Sequence, residues 1–195
     1  MNMKQMMERH GREFRRAIEN HKYELTEDGD VFMPSQKLFV GGFFVTSVNG
    51  GAAEAHKNLV PLEGRNHILD VLLHGAAQVS PWYVALFSGN VTPQPGWTGA
   101  NFAANATEYT GYTESTRVAY DEGAASNGQT DNLNSEAGFT MGEDGATLYG
   151  AALLAASAKG AVTGPLLAAA RFNKVKELDE GDHLGAGYVI QATSA

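Results

Sequence analysis

The stretch that most constrains this chain is Pro81-Trp82-Tyr83-Val84-Ala85-Leu86-Phe87-Ser88-Gly89. It is a short apolar run of aromatic and branched residues with a turn former at each end, the pattern of a strand buried on at least one face. On a pleat, Trp82, Val84 and Leu86 fall on one side and Tyr83, Ala85 and Phe87 on the other. Neither side is polar, so both faces are expected to find apolar cover. The run is therefore predicted as the central strand of a β-rich domain.

The neighbourhood of this strand supports a β architecture. Gly is abundant, 23 of 195 residues, and Gly, Asn, Thr and Ser crowd the middle of the chain. Many short strands with Gly-rich turns suit a sandwich or barrel better than a helical bundle. The predicted fold class is mainly β (α+β), an antiparallel β-sandwich or barrel with an N-terminal helical arm and one packed internal helix. Two regions are expected: residues 1–57, a helical arm and small β subdomain, and residues 58–195, the main β-rich domain.

Residues 1–22 read as a helix, because Met3, Met7, His10, Phe14, Ile18 and His21 recur at three- and four-residue spacing. Asp28-Gly29 is a tight-turn signal that folds Val31–Met33 back on Tyr23–Leu25. Lys37–Val40 and Phe43–Val48 read as strands with a bulge or bend at Gly41-Gly42, and residues 52–57 read as loop. Pro61 to Gly75 reads as a helix whose broad apolar face, Ile68, Leu69, Val71, Leu72 and Leu73, packs on the sheet that holds the Trp82 strand. Trp97–Asn105 is predicted as a short helix capped by Thr98, with Trp97 and Phe102 pinned to the core. Tyr109, Tyr112 and Arg117–Tyr120 fit short strands, and residues 121–135 an exposed loop or edge ribbon. Phe139–Met141 is expected to pair with Thr147–Tyr149 across the Asp144-Gly145 turn. Strands through Ala151–Ala156, Leu166–Phe172 and Gly187–Ala192 complete the set.

Charge divides the chain. The net charge is −8, with a mildly basic N-terminal segment and an acidic middle in which Arg117 stands alone among eight carboxylates between residues 101 and 150. An acidic body argues against binding a phosphate backbone directly. There is no cysteine, which excludes disulfides, thiolate catalysis and thiolate metal sites. The N-terminus carries no apolar signal core and no run approaches membrane-spanning length, so synthesis and folding in a cytoplasm are expected, with no membrane partner.

Candidate chemistry is sparse. His67, Asp70 and His74 share a helix face, but polar boundary residues explain them better than a metal. Asp28/Asp30 and Asp179/Asp182 lack the full spacing of a calcium loop. Leu184-Gly185-Ala186-Gly187 is no nucleotide loop, and no nucleophile elbow is present. Trp97, Tyr109, Tyr112 and Tyr120 fit core packing better than a sugar-stacking platform. No catalytic, cofactor or metal residue is assigned. The candidate partner-binding residues are Met3, Met7, Phe14, Arg15, Arg16 and Ile18, on or beside the stripe of the arm.

One likeness spans about residues 58–195. Asn58-Leu59-Val60, Glu63 to Val71, Trp82 to Phe87, Gly96-Trp97-Thr98, Glu108 to Tyr112 and Ser115-Thr116-Arg117, with the Ala/Gly/Thr-rich β region that follows, resemble a group of tailed-bacteriophage structural proteins. The resemblance implies a non-enzymatic virion component, best a capsid decoration or cement protein that binds and stabilises the shell of the major capsid protein. Its implied partners are that shell and copies of itself as a homo-oligomer, and its implied place is the capsid surface, after synthesis in the bacterial host. It carries no functional residue over. A tail, baseplate or head–tail joining protein is the alternative within the virion, and a carbohydrate- or receptor-binding module the alternative outside that class.

Overall fold

The computed structural model describes Gly11, Arg15, Glu19, residues 24–25, 27–29 and 31–32, and residues 38–194. The chain is mainly β and its sheets are antiparallel. It divides into two compact units, the larger being Val40–Thr193. In the smaller, β1 (Glu24–Leu25) pairs with β2 (Val31–Phe32). Gly29 sits at φ 80 between them, so the Asp-Gly turn closes the hairpin as predicted.

The larger unit is built from two five-stranded sheets. In the first, β5 (Trp82–Phe87) is central. One edge pairs along its length with β10 (Ala146–Leu154). The other edge is shared by two short strands, β7 (Val118–Tyr120) against Trp82–Val84 and β6 (Glu108–Tyr109) against Leu86–Phe87. Beyond β10 lies β11 (Leu166–Leu178). The second sheet repeats this plan around β12 (His183–Ser194). β3 (Leu38–Val48) takes one edge, and β9 (Ala137–Thr140) and β8 (Gln129–Asp131) share the other. β4 (Glu54–Lys57) lies outside β3.

The two faces of β5 meet different cover, which is why the run has no polar side. Val84 and Leu86 enter the core between the sheets with Phe44, Phe139, Leu148, Leu153, Leu184 and Tyr188. Ala85 and Phe87 pack outward against Trp97 and Phe102. That outer cover is α2 (Gly99–Ala106) and the loop before it. Thr98 caps α2 with a reciprocal pair of bonds: its hydroxyl accepts from Asn101 N–H, and its own N–H donates to Asn101 Oδ1.

Two strand expectations need correction. Phe139–Met141 does not pair with Thr147–Tyr149. β9 joins β12 in one sheet and β10 joins β5 and β11 in the other, so the Asp144-Gly145 turn carries the chain between sheets. Residues 54–57 are strand, paired with Phe43–Thr46. Gly41-Gly42 lies inside β3, which runs through the pair. A Cβ on Gly42 would lie 1.9 Å from the Val189 carbonyl oxygen, so glycine is required there by the close approach of β12.

The helix expected from Pro61 to Gly75 is α1 (Leu62–Leu73), ended by Gly75 at φ 72. It packs on β11, in the sheet that holds the Trp82 strand, as expected, but only part of its apolar face takes part. Gly64 is its buried residue, and a Cβ there would lie 2.3 Å from the Leu167 carbonyl oxygen. Ile68 packs on the inter-sheet core, and His67 meets Trp82 edge-on at 5.4 Å. Leu69, Leu72 and Leu73 point away.

Candidate binding surface

α1 has two faces of different character. Gly64, His67, Ile68 and Val71 lie inward, buried or half-buried. On the opposite side Leu62 is 54% exposed, Leu69 55%, Leu72 69% and Leu73 83%. At 100° per residue Leu62, Asn66, Leu69 and Leu73 form one stripe, with Leu72 and Arg65 on one flank and Asp70 on the other. Beside the stripe runs an open groove of about 670 Å³ whose lining includes Leu62, Asn66, Asp70, Trp97, Val162 and Pro165. Val162 is itself 56% exposed. Isolated exposed leucines are ordinary, but a stripe of them on a regular helix marks a surface suited to cover by another protein.

The helix is held rigidly enough to present that stripe. Glu63, in its first turn, accepts through Oε2 from Gly99 N–H at 2.8 Å and Leu166 N–H at 2.7 Å. One carboxylate therefore ties α1 to the N-terminus of α2, where a negative charge is favoured, and to the start of β11. The Leu62 N–H donates to Pro95 O at 3.0 Å, and Leu59 bridges Ala169 just before the helix.

Two buried polar constellations lie elsewhere. At the seam between the outer strands, His56 of β4 is fully buried. Its Nδ1 accepts from Asn173 N–H at 3.0 Å and its Nε2 lies 2.8 Å from Thr46 Oγ1. Asn173 also donates to Ala55 O, and Lys176 bonds Glu54 at 2.8 Å. Side chains thus join the two sheets where no ladder does. The strand that reaches across is bulged. Between Leu148 and Gly150, two steps along β10 correspond to five along β11, from Lys176 to Arg171, and the surplus carries Phe172 onto the His56 ring and Asn173 to β4. Burial, and then the nearby Lys176 charge, push the His56 pKa down to about 4.

On the other side Arg117 is 1% exposed and forks onto Glu108, Nε to Oε1 at 2.8 Å and Nη2 to Oε2 at 2.7 Å. Its remaining donors reach Ala156 O and Ala161 O. Gly160 N–H completes Glu108. Every charge in the pair is answered, and the pair clasps the loop after β10 to the chain between β6 and β7. Lys159, in that loop, bonds Thr110 O and Tyr112 O and lies 3.7 Å from the centre of the Tyr112 ring. Burial lowers its pKa.

Among the residues singled out in the sequence, Met3, Met7, Phe14, Arg16 and Ile18 lie outside the described residues; Arg15 is helical and exposed. Trp97, Tyr109, Tyr112 and Tyr120 are 6%, 8%, 4% and 4% exposed, so they are core and boundary packing and offer no stacking platform. Burial pushes Tyr109 up to about 12, with Glu143 adding to it. Among the described residues no group of three His, Asp or Glu is placed to hold a metal ion. Asp182 staples the turn after β11, accepting from Asn49 Nδ2 and Asp179 N–H. Leu184–Gly187 lies within β12. Residues 121–135 form the expected edge ribbon, turned by Asn127-Gly128 at positive φ. It frames a hollow of about 520 Å³ lined in part by Asp121, Glu122 and Asp131. Asp121 and Asp131 there accept bonds from Ser135, Gln129 and Leu133 of the same ribbon.

Glu63, His56, Arg117 and the outward set of α1 were missed as a surface or a clasp. Glu63 carried one usable signal, a carboxylate in the first turn of a predicted helix. No protein-family model matches the chain, and no curated protein matches it in sequence. Among the described residues no helix is long and apolar enough to cross a membrane.

Proposed function

We propose that this chain is a structural protein of a tailed-phage virion, a decoration protein that binds the assembled shell of the major capsid protein and stabilises it without catalysis. The observation that carries the proposal is the outward stripe of α1. Leu62, Leu69, Leu72 and Leu73 stay exposed beside a core packed on both faces of β5. A helix fixed by Glu63 and Gly64 with its leucines outward suits a protein that works by being covered. The resemblance of residues 58–195 to phage structural proteins supplies the setting, since two of its runs, Glu63–Val71 and Trp82–Phe87, fall on this helix and on the central strand of the first sheet. Such a protein would act by burying area across a seam of the shell, with many copies resisting internal pressure together.

The test is to add purified protein to expanded capsids that lack it. The proposal expects saturable binding and a higher melting temperature for the shell. Unchanged capsid melting, with the protein fractionating with tails, would refute it.

A further inference from the structure

We infer that the outward face of α1 is where a second copy of this chain binds, the two helices lying parallel about a two-fold axis. The inference rests on reading that face as one a protein covers, and assigns the cover to a neighbouring copy of a decoration array, so that contact with the shell itself falls to other surfaces. The exposed residues fall at the two core positions of a helix pair: Leu62 and Leu69 at one, Asn66 and Leu73 at the other, with steps of four, three and four. The inward residues Gly64, His67, Ile68 and Val71 occupy the opposite side, so the helix can be covered outside without releasing the body inside.

Charge selects both the occupant and its direction. Arg65 and Leu72 flank the stripe on one side, Glu63 and Asp70 on the other. In a parallel pair, each residue on the first flank meets the residue five places on in its neighbour, which sets Arg65 against Asp70 of the second copy, twice by symmetry. An antiparallel pair would place the acidic flanks against each other and lose this match. Asn66 fits the parallel arrangement as well. At the axis two copies of its amide can bond each other, whereas opposite leucine it would be buried unpaired. A helix this short would not pair in isolation, but this one is already formed and anchored through Gly64, Glu63 and Gly75, so association carries no nucleation cost.

Sedimentation equilibrium across the micromolar range tests this without any capsid present. A two-chain species is expected. Leu69→Asp with Leu73→Asp should leave a folded monomer, because both side chains are exposed in the single chain, with melting that no longer depends on protein concentration. Arg65→Glu should weaken the dimer about tenfold, and Arg65→Glu with Asp70→Arg should restore it. Because the chain has no cysteine, Asn66→Cys should oxidise to one cross-linked dimer, which only the parallel register brings together. A monomer at every concentration, a dimer indifferent to Leu69→Asp, or no cross-link at residue 66 would overturn the inference. A dimer that fails to bind capsids would leave it standing and remove the proposed function instead.

Discussion

Asn173 donates its backbone N–H to Nδ1 of His56 at 3.0 Å, and that single bond fixes the tautomer of a buried ring. With Nδ1 accepting, Nε2 carries the proton and donates to Thr46 Oγ1. The ring is neutral in the folded protein, and its pKa is about 4 against 6.5 when unfolded. A histidine with a lowered folded value stabilises above its unfolded pKa, and the stabilisation drains away as pH falls from 6.5 toward 4. At one pKa unit per ~1.4 kcal/mol, the loss is on the order of 3 kcal/mol. Urea unfolding of the wild type and His56→Gln at pH 7 and pH 4.5 should converge at the lower pH. An equal gap at both would assign the acid sensitivity elsewhere.

Arg117→Met should be among the most damaging single changes. It leaves Glu108 charged and desolvated, a loss of about 3–5 kcal/mol in denaturant unfolding. Arg117→Met with Glu108→Met should recover most of it, because the buried pair mainly answers its own desolvation. Amide exchange in residues 156–161 should rise in the single variant, since Arg117 holds the carbonyls of Ala156 and Ala161.

Gly64→Ala tests how tightly α1 seats. The new Cβ would fall 2.3 Å from Leu167 O, backbone that cannot turn aside, so the helix must lift. A destabilisation of about 1–3 kcal/mol is expected, read as a lower melting temperature. Gly96→Ala is the control, with no heavy atom within 4 Å of its Cβ position, and should change little.

Thr98→Ala removes the hydroxyl cap of α2 and should cost about 1 kcal/mol. Phe102→Ala, on the same helix but fully buried against Phe87 and Trp97, should cost about 3–5 kcal/mol. If the two losses are equal in chemical denaturation, α2 is held by its cap rather than by what it covers.

What the sequence made legible was local. The two apolar sides of Trp82–Phe87, the Thr98 cap and the Asp28-Gly29 turn each sit within a few residues of the element they specify. Partner choice was not legible. Asp144-Gly145 shows that the chain turns, but not that Thr140 will pair with His183 and Leu148 with Lys176. Residues 54–57 are a four-residue edge strand hidden behind Gly50-Gly51-Ala52-Ala53. On α1 the leucines were visible, but apolar residues facing outward and inward look alike in a helix with a polar residue on every turn. Arg117 defied the rule that a lone cation sits in water, because its partner, Glu108, lies across a turn rather than a helical step away.

The bulge of β11 also bears on how that strand is aligned with β10. Its apolar half sets Ala168, Ala169 and Ala170 against Leu153, Ala152 and Ala151. Small, nearly identical side chains give such a ladder little to distinguish its own alignment from one displaced by two residues, which would keep the same faces inward. Asn173 removes that freedom. Any sliding of β11 along β10 would pull its amide off His56 and its side chain off Ala55. The surplus residues at the bulge act as a stop on the strand, so an alanine-rich ladder acquires a single alignment from a contact made in the other sheet.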